Sequence, residues 1–277
     1  MKTGHGMQKL KIKKPGWKIA VMAIYFVVIA ILVTAGCGKE DSGSEGDQAT
    51  GKSGTVQDQN TSSTGSKPAD PQDIGMNVGD NFALISDQAL EEAMADMSSL
   101  GVTWLRFDMA WDLVQPKDAN HFIWSRYDRI VAAALRHNIK LLPVLSYTPQ
   151  WARRQECKEN FQCAPADPVK FAGFAKEAVI HYAPMGINTW EIWNEPNIDA
   201  FWRPVPDAAE YTELLKQGYM EIKQADPQAT VISGGLSPAE NLGGRIAPLD
   251  YLASMYQSGA RDYFDALGYH PFSYPAL

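Results

Sequence analysis

The 277-residue chain is poor in the residues that build several common kinds of site. It has three cysteines and five histidines. The histidines are scattered and none lies near a cysteine pair, so the spacing of metal ligands is missing and no metal is expected. No glycine-rich turn follows the first strand-like stretch, which argues against a dinucleotide-binding sheet. Gly46 to Ser53 fits the phosphate-loop pattern, but no strand precedes it and no helix follows it. Without them its N–H groups cannot be aimed at a phosphate, and the match is read as chance. No nucleotide and no other cofactor is expected. Positive charge is scarce beyond the N-terminus. Residues 1–36 carry six Lys and no acid, so setting them aside takes the net charge from −7 to −13. Such an acidic protein is a poor partner for nucleic acid, whose phosphates need Lys and Arg. Gly38 to Asp73 has no aromatic residue, and its only aliphatic side chains are Ala49, Val56 and Ala69. It cannot bury a core, and residues 37–73 read as a flexible linker.

What is present begins with one long apolar run. Lys2, Lys9, Lys11, Lys13, Lys14 and Lys18 precede Ile19 to Val33, which is uncharged and nearly all apolar. Thr34-Ala35-Gly36 then leads to Cys37. This is a secretory signal layout. The Cys after small residues resembles a bacterial lipoprotein processing site, which implies lipidation at Cys37, although Thr34 departs from the Leu more usual there. The alternative is an uncleaved anchor, since the run approaches spanning length. Either way the protein is expected outside the cytoplasm, tethered to a membrane through a lipid or its N-terminus. There, Cys157 and Cys163 are close enough to close a small disulfide loop, the alternative being two free thiols.

From Ile74 onward, strand and helix signals alternate. Ile74–Val78, Val102–Phe107, Ile139–Leu145, Ile187–Trp193, Thr230–Ser233 and Phe264–Gly268 read as six short strands. Helices are expected over Asp87–Leu100, Ser125–His137, from Asp167-Pro168, from Asp207 to Ala225, and over Tyr251–Gly259. Ser125 and Asp128 have the spacing of a capping box. Asp167-Pro168 places a cap and then proline at the first helical position. Units of roughly 30–45 residues with this alternation suit an α/β protein, a (β/α)8 TIM barrel. About six of its eight units are visible over residues 74–277, so the chain is expected to be a C-terminally truncated piece of that barrel.

The most informative run is Trp193-Asn194-Glu195-Pro196-Asn197, at the C-terminal end of the fourth strand, where barrel enzymes keep their chemistry. Glu195 is an acid beside an amide that can bind hydroxyls and a ring that can face a sugar. Strict alternation along a strand would point Asn194 and Glu195 to opposite faces, so both can serve only if the chain bends there.

The segment Trp190 to Asn197 resembles the fourth-strand motif of retaining glycoside hydrolases of clan A, in particular the family 39 and family 5-type, β-xylosidase-like and cellulase-like groups. The resemblance extends over Ile74 to Leu277. It includes Gly101 to Asp108, Leu142 to Ala152, Ser233-Gly234-Gly235-Leu236 and Gly268-Tyr269-His270-Pro271, in the family's order. It implies hydrolysis of O-glycosidic bonds in a carbohydrate, with Glu195 as general acid/base. Retention needs a second carboxylate roughly 5–5.5 Å away. The resemblance places that nucleophile on a seventh strand, so none is named here. It gives Asn194 a sugar hydroxyl, His270 a place at the site, and Arg106 the task of keeping a catalytic carboxylate ionised. The alternative for Arg106 is a structural pair with Asp108 or Glu191, since a buried guanidinium needs a carboxylate. Glu191 reads as an internal structural acid. Trp111, Tyr147, Trp151 and Trp202 follow strand ends and are candidates for stacking on sugar, against ordinary packing. A second reading of the whole is a carbohydrate-binding lipoprotein on a barrel that has lost catalysis.

Overall fold

A computed structural model describes residues 73–272. The expected signal or anchor (1–36), Cys37, the phosphate-loop match and nearly all of the linker (37–73) lie outside the described residues. Among those that are described, no helix is long and apolar enough to cross a membrane.

Five strands form one parallel sheet in sequence order: β1 (Ile74–Asn77), β2 (Val102–Ala110), β3 (Lys140–Ser146), β4 (Thr189–Asn194) and β5 (Thr230–Gly235). Between and after them run α1 (Asp87–Ser99), the short α2 (Trp111–Val114), α3 (Ser125–Arg136), α4 (Pro168–Tyr182), α5 (Ala208–Ala225) and α6 (Pro248–Gln257). Consecutive parallel order with a helical crossover between neighbours is the pattern of a (β/α)8 barrel, and the described residues are part of one. The expected sixth strand is present as a segment beside β5, but only through isolated parallel bridges at Ala266 and Tyr269. It is held there by Ser233 donating to the Ala266 carbonyl and His270 donating to that of Leu236.

Side-chain alternation sorts the sheet into two faces. On β2, Leu105, Phe107 and Met109 turn to the helices and join the large apolar layer there, where Phe107 stacks on Tyr127 of α3. Arg106 and Asp108 turn to the other face, in register with Leu142 and Val144 of β3, and Val144 is in register with Glu191 of β4. A separate small cluster of Leu142, Ile232 and Ala266, with Trp104 against it, fills that inner face.

The helix starts follow their caps. Asp167 accepts from the Val169 N–H with Pro168 behind it, and Asp207 accepts from the N–H groups of Ala209 and Glu210. The capping box expected at Ser125 does not form. Ser125 is already helical, the cap position is Trp124, and its side chain makes no capping bond. Asp128 faces α4 instead, accepting from the Tyr182 hydroxyl at 3.1 Å and bonding His181 at 2.9 Å. Cys157 and Cys163 are bonded to each other, with their Cα atoms 5.5 Å apart.

Candidate active site

The end of β4 departs from regular strand geometry, and that departure builds the site. Ile192 packs toward α5 and Trp193 packs on Phe171 and Trp202, so two consecutive side chains enter the helix layer. Trp193 has φ 71° and Glu195 has φ 46°. Left-handed backbone at a non-glycine residue costs on the order of 1–2 kcal/mol. Packing of Trp193, and its indole N–H donating to the Phe201 carbonyl at 2.8 Å, holds it in place. The result is the bend that the sequence requires: Asn194 and Glu195 both line one cleft of about 510 Å³, with Arg106, His270, Asn77 and Arg245 around them.

The bend also brings β4 backbone against β5. A Cβ at Gly234 would sit 2.8 Å from the carbonyl oxygens of Ile192 and Trp193, and one at Gly235 would sit 2.2 Å from His270 Nε2. These two residues have no room for a side chain, which accounts for the Gly-Gly pair in that strand. Gly235→Ala should therefore push His270 off Glu195. Shifts of about 1 Å in catalytic geometry cost roughly 10²-fold in rate. On the expectation that the chain hydrolyses glycosides, a loss of that order in kcat/KM for an unactivated glycoside should follow in the full-length chain, with the folded fraction unchanged by circular dichroism. Full activity of this variant would show that the His270 contact is dispensable.

Arg106 is the hub of the inner face. Its Nε and Nη2 donate to the two oxygens of Glu191 at 2.7 and 2.8 Å, Nη2 also donates to Asn194 Oδ1 at 2.8 Å, and Nη1 donates to Asn77 Oδ1 at 2.9 Å. The guanidinium thus joins β1, β2 and β4. Its carboxylate partner is Glu191, as the structural alternative has it, and it makes no ion pair with Glu195. Because Arg106 takes the carbonyl oxygen of Asn194, the amide's N–H₂ end is left to donate into the cleft.

The three inward acids have different surroundings. Burial pushes Glu191 up, but Arg106 outweighs it, helped by His270 and the Gly235 N–H, and holds the carboxyl below its ordinary value. Arg106 in turn is held above its ordinary value, Glu191 and Asp108 more than offsetting its burial. Glu191 is spoken for and is no proton donor. Glu195, only 8% exposed, keeps one oxygen on His270 Nδ1 at 2.8 Å and reaches the cleft.

Asp108 is different again. Burial raises it to about 6, against the pull of Arg106 and of the Tyr147 hydroxyl that donates to it at 3.1 Å. An aspartate in the unfolded chain titrates near 3.9. The folded state therefore holds the extra proton between about pH 4 and 6, and this group's contribution to stability is full below that window and lost as pH rises through it. Asp108→Asn should flatten the fall in unfolding free energy across that range, by about 2–3 kcal/mol. Chemical denaturation at pH 4.5 and 7 checks this. An unchanged pH slope in the variant would assign the slope elsewhere.

The expected sugar-stacking residues are not brought to this cleft. Trp111 is fully buried, stacked on Phe174 at 5.7 Å and edge-on to Phe171 and Trp151. Trp202 is buried against Trp193 and Tyr211. Trp151 donates to the Gln115 carbonyl, and Tyr147 is committed to Asp108. Trp111, Trp151 and Trp202 follow strand ends but pack in the layer over α4 and α5, while Tyr147 reaches Asp108 on the inner face without lining this cleft. The aromatic rings that do line it are Phe201 and Phe272. Other residues carried no sequence signal of a role: Asn77, which holds Arg106; Arg245; and Asn197, which is fully buried and staples the chain after β5. Asn197 was visible only as the last letter of the Trp-Asn-Glu-Pro-Asn run. A second cleft of about 380 Å³ lies at the opposite, N-terminal ends of β3 and β4. It holds Lys140 but no carboxylate, so it lacks the means for acid/base work. Among the described residues no three His, Cys, Asp or Glu side chains gather as metal ligands would.

No protein-family model and no curated protein matches the chain. Solved structures do. A family 39 glycoside hydrolase from the gut symbiont Bacteroides cellulosilyticus WH2 is similar over 72% of this chain, at 26% identity and a TM-score of 0.56. A GH39 enzyme from Xanthomonas axonopodis pv. citri is similar over 67%, at 24% identity and 0.54. A monomeric β-xylosidase from Caulobacter crescentus CB15 is similar over 68%, at 23% identity and 0.55. The matches cover 38%, 38% and 39% of those chains, so this chain spans less than two-fifths of their length. Strand order and these similarities agree: the chain has a clan A glycoside hydrolase fold, similar to that of family 39 enzymes.

Proposed function

We propose that the protein hydrolyses O-glycosidic bonds with retention, Glu195 serving as general acid and then general base. The observation that carries this reading is Glu195 itself: a nearly buried carboxyl at the end of β4, bonded to His270 and opening on a cleft beside the Asn194 amide. A glycosidic oxygen leaves poorly unless protonated, and a carboxylic acid positioned beside it can supply the proton. Asn194, with its carbonyl end taken by Arg106, offers N–H groups to a sugar hydroxyl. Retention further requires a nucleophilic carboxylate, which the resemblance places on a seventh strand. One similar structure is named a β-xylosidase, which makes β-xylosides the first substrates to assay. Replacing Glu195 by Gln in the full-length chain and comparing leaving groups tests the assignment. The second reading, a carbohydrate binder without catalysis, is favoured only if the unmodified full-length chain binds such sugars and hydrolyses none.

A further inference from the structure

The loop between β5 and α6 is tightly built and brings a cation to the cleft. The Asn197 side chain holds both of its ends. Nδ2 donates to the carbonyls of Ser237 and Ile246, each at 2.8 Å, and Oδ1 accepts from the Ser237 N–H at 2.8 Å. The Ile246 N–H returns a bond to the Asn197 carbonyl at 2.9 Å. Asn241 adds a second clamp, accepting from the Ala247 N–H and donating to Asp250. Gly243 (φ 61°) and Gly244 (φ 83°) turn the chain just before Arg245.

Arg245 lines the Glu195 cleft, and its one side-chain bond is a long one, 3.3 Å from Nε to the Leu242 carbonyl. The other ionisable groups lining it already have partners: Arg106 bonds Glu191, and Glu195 bonds His270. Among the described residues Arg245 has no carboxylate within ion-pair distance. The rest of the loop's contribution to the cleft is uncharged, from Ser237, Pro238 and Ala239. The chain as a whole carries −7, so this exposed guanidinium is not part of a diffuse positive field.

We propose that Arg245 selects glycans bearing an anionic group, a uronic-acid carboxylate or a sulfate ester, by forked hydrogen bonds to that group. A guanidinium fits the two oxygens of either. Because the loop is pinned at both ends by Asn197 and Asn241, less ordering entropy is lost when the ligand binds. The proposal deepens the glycosidase reading and rests on the same cleft.

The test is calorimetric binding to the full-length chain carrying Glu195→Gln, so that hydrolysis does not interfere. Three probes are compared: xylotetraose, the same oligosaccharide with a glucuronic-acid branch, and its sulfated form. At least one anionic probe should bind about tenfold more tightly than the neutral one, the size of one charge-assisted contact. Adding Arg245→Ala should bring that ratio near one, and Arg245→Lys should restore part of it. The carboxylate and sulfate arms tell which group is read. A ratio near one before the Arg245 change, no binding of any probe, or a ratio that survives Arg245→Ala overturns the proposal. Separately, failure of the unmodified chain to hydrolyse any glycoside, with the charge ratio intact, would sink only the catalytic reading.

Discussion

Glu195→Gln in the full-length chain is expected to lose hydrolysis of an unactivated β-glycoside by about 10²–10⁴-fold, the range over which a positioned acid acts. Glutamine keeps the shape of the side chain, and its carbonyl can still accept from His270 Nδ1, so the thermal midpoint should barely move. The loss must depend on the leaving group. A dinitrophenolate departs without a proton, so glycosylation of the enzyme by such a substrate should survive the substitution. Turnover would then be limited by the second step, for which Glu195 is also the base. A small anion such as azide needs no deprotonation and should restore that step, releasing a glycosyl azide. Measuring both kcat/KM, which reports glycosylation, and kcat, which reports the second step, on the two substrates with and without azide separates the steps. Equal rates for variant and parent on the unactivated substrate would remove Glu195 from the chemistry. Equal losses on both substrates, without azide rescue, would make it a binding or structural residue.

What could be read from the sequence and what could not divide along a physical line. Strands and helices were legible because burial on one or both faces imposes a period, and because Asp167-Pro168 and Asp207 are caps whose bonds are local. Glu195 was legible because it stands beside an amide at the C-terminal end of a strand, the end at which barrels gather reactive groups. The site's geometry was not legible because it depends on contacts between distant segments. The bend at β4 comes from left-handed backbone at Trp193, which no propensity favours; it becomes tenable only once Phe171 and Trp202 enclose the ring. The Gly-Gly pair of β5 is required by that bend and by His270, neither of which lies near it in sequence. The expected sugar-stacking rings do not line this cleft for the same reason. A position at a strand end says which end of the barrel a side chain occupies, not whether it turns to the cleft or to the helices. Asn197 is the sharpest case: its amide reaches residues 40 and 49 positions away.

Arg106 and Glu191 give the second large effect, on stability, and it has a signature that distinguishes the two partners. Both are nearly buried, and removing one leaves the other as an uncompensated charge, which costs about 3–5 kcal/mol. Arg106→Met strands the Glu191 carboxylate and also releases Asn77 and Asn194. Glu191→Gln strands the guanidinium. At pH 7 both variants should be strongly destabilised in chemical denaturation. The difference appears on acidification. Glu191 is held below its ordinary value in the intact protein, so its pairing stabilises the fold above the unfolded glutamate's pKa, near 4.3, and that contribution is lost as pH falls. In Arg106→Met the carboxyl has lost the cation that kept it ionised. It can take up a proton and bury itself neutral, so the penalty relative to the parent should shrink toward pH 4–5. In Glu191→Gln the stranded group is a guanidinium, which cannot give up its proton, and its penalty should persist over the same range. Two variants with equal losses at pH 7 and equal pH dependence would mean that the damage is to packing and not to charge. The asymmetry also bears on catalysis. Acidification can relieve the buried charge in Arg106→Met, but it cannot return the fork that orients the Asn194 amide, so recovery of stability without recovery of kcat is the expected outcome for a residue that positions the site.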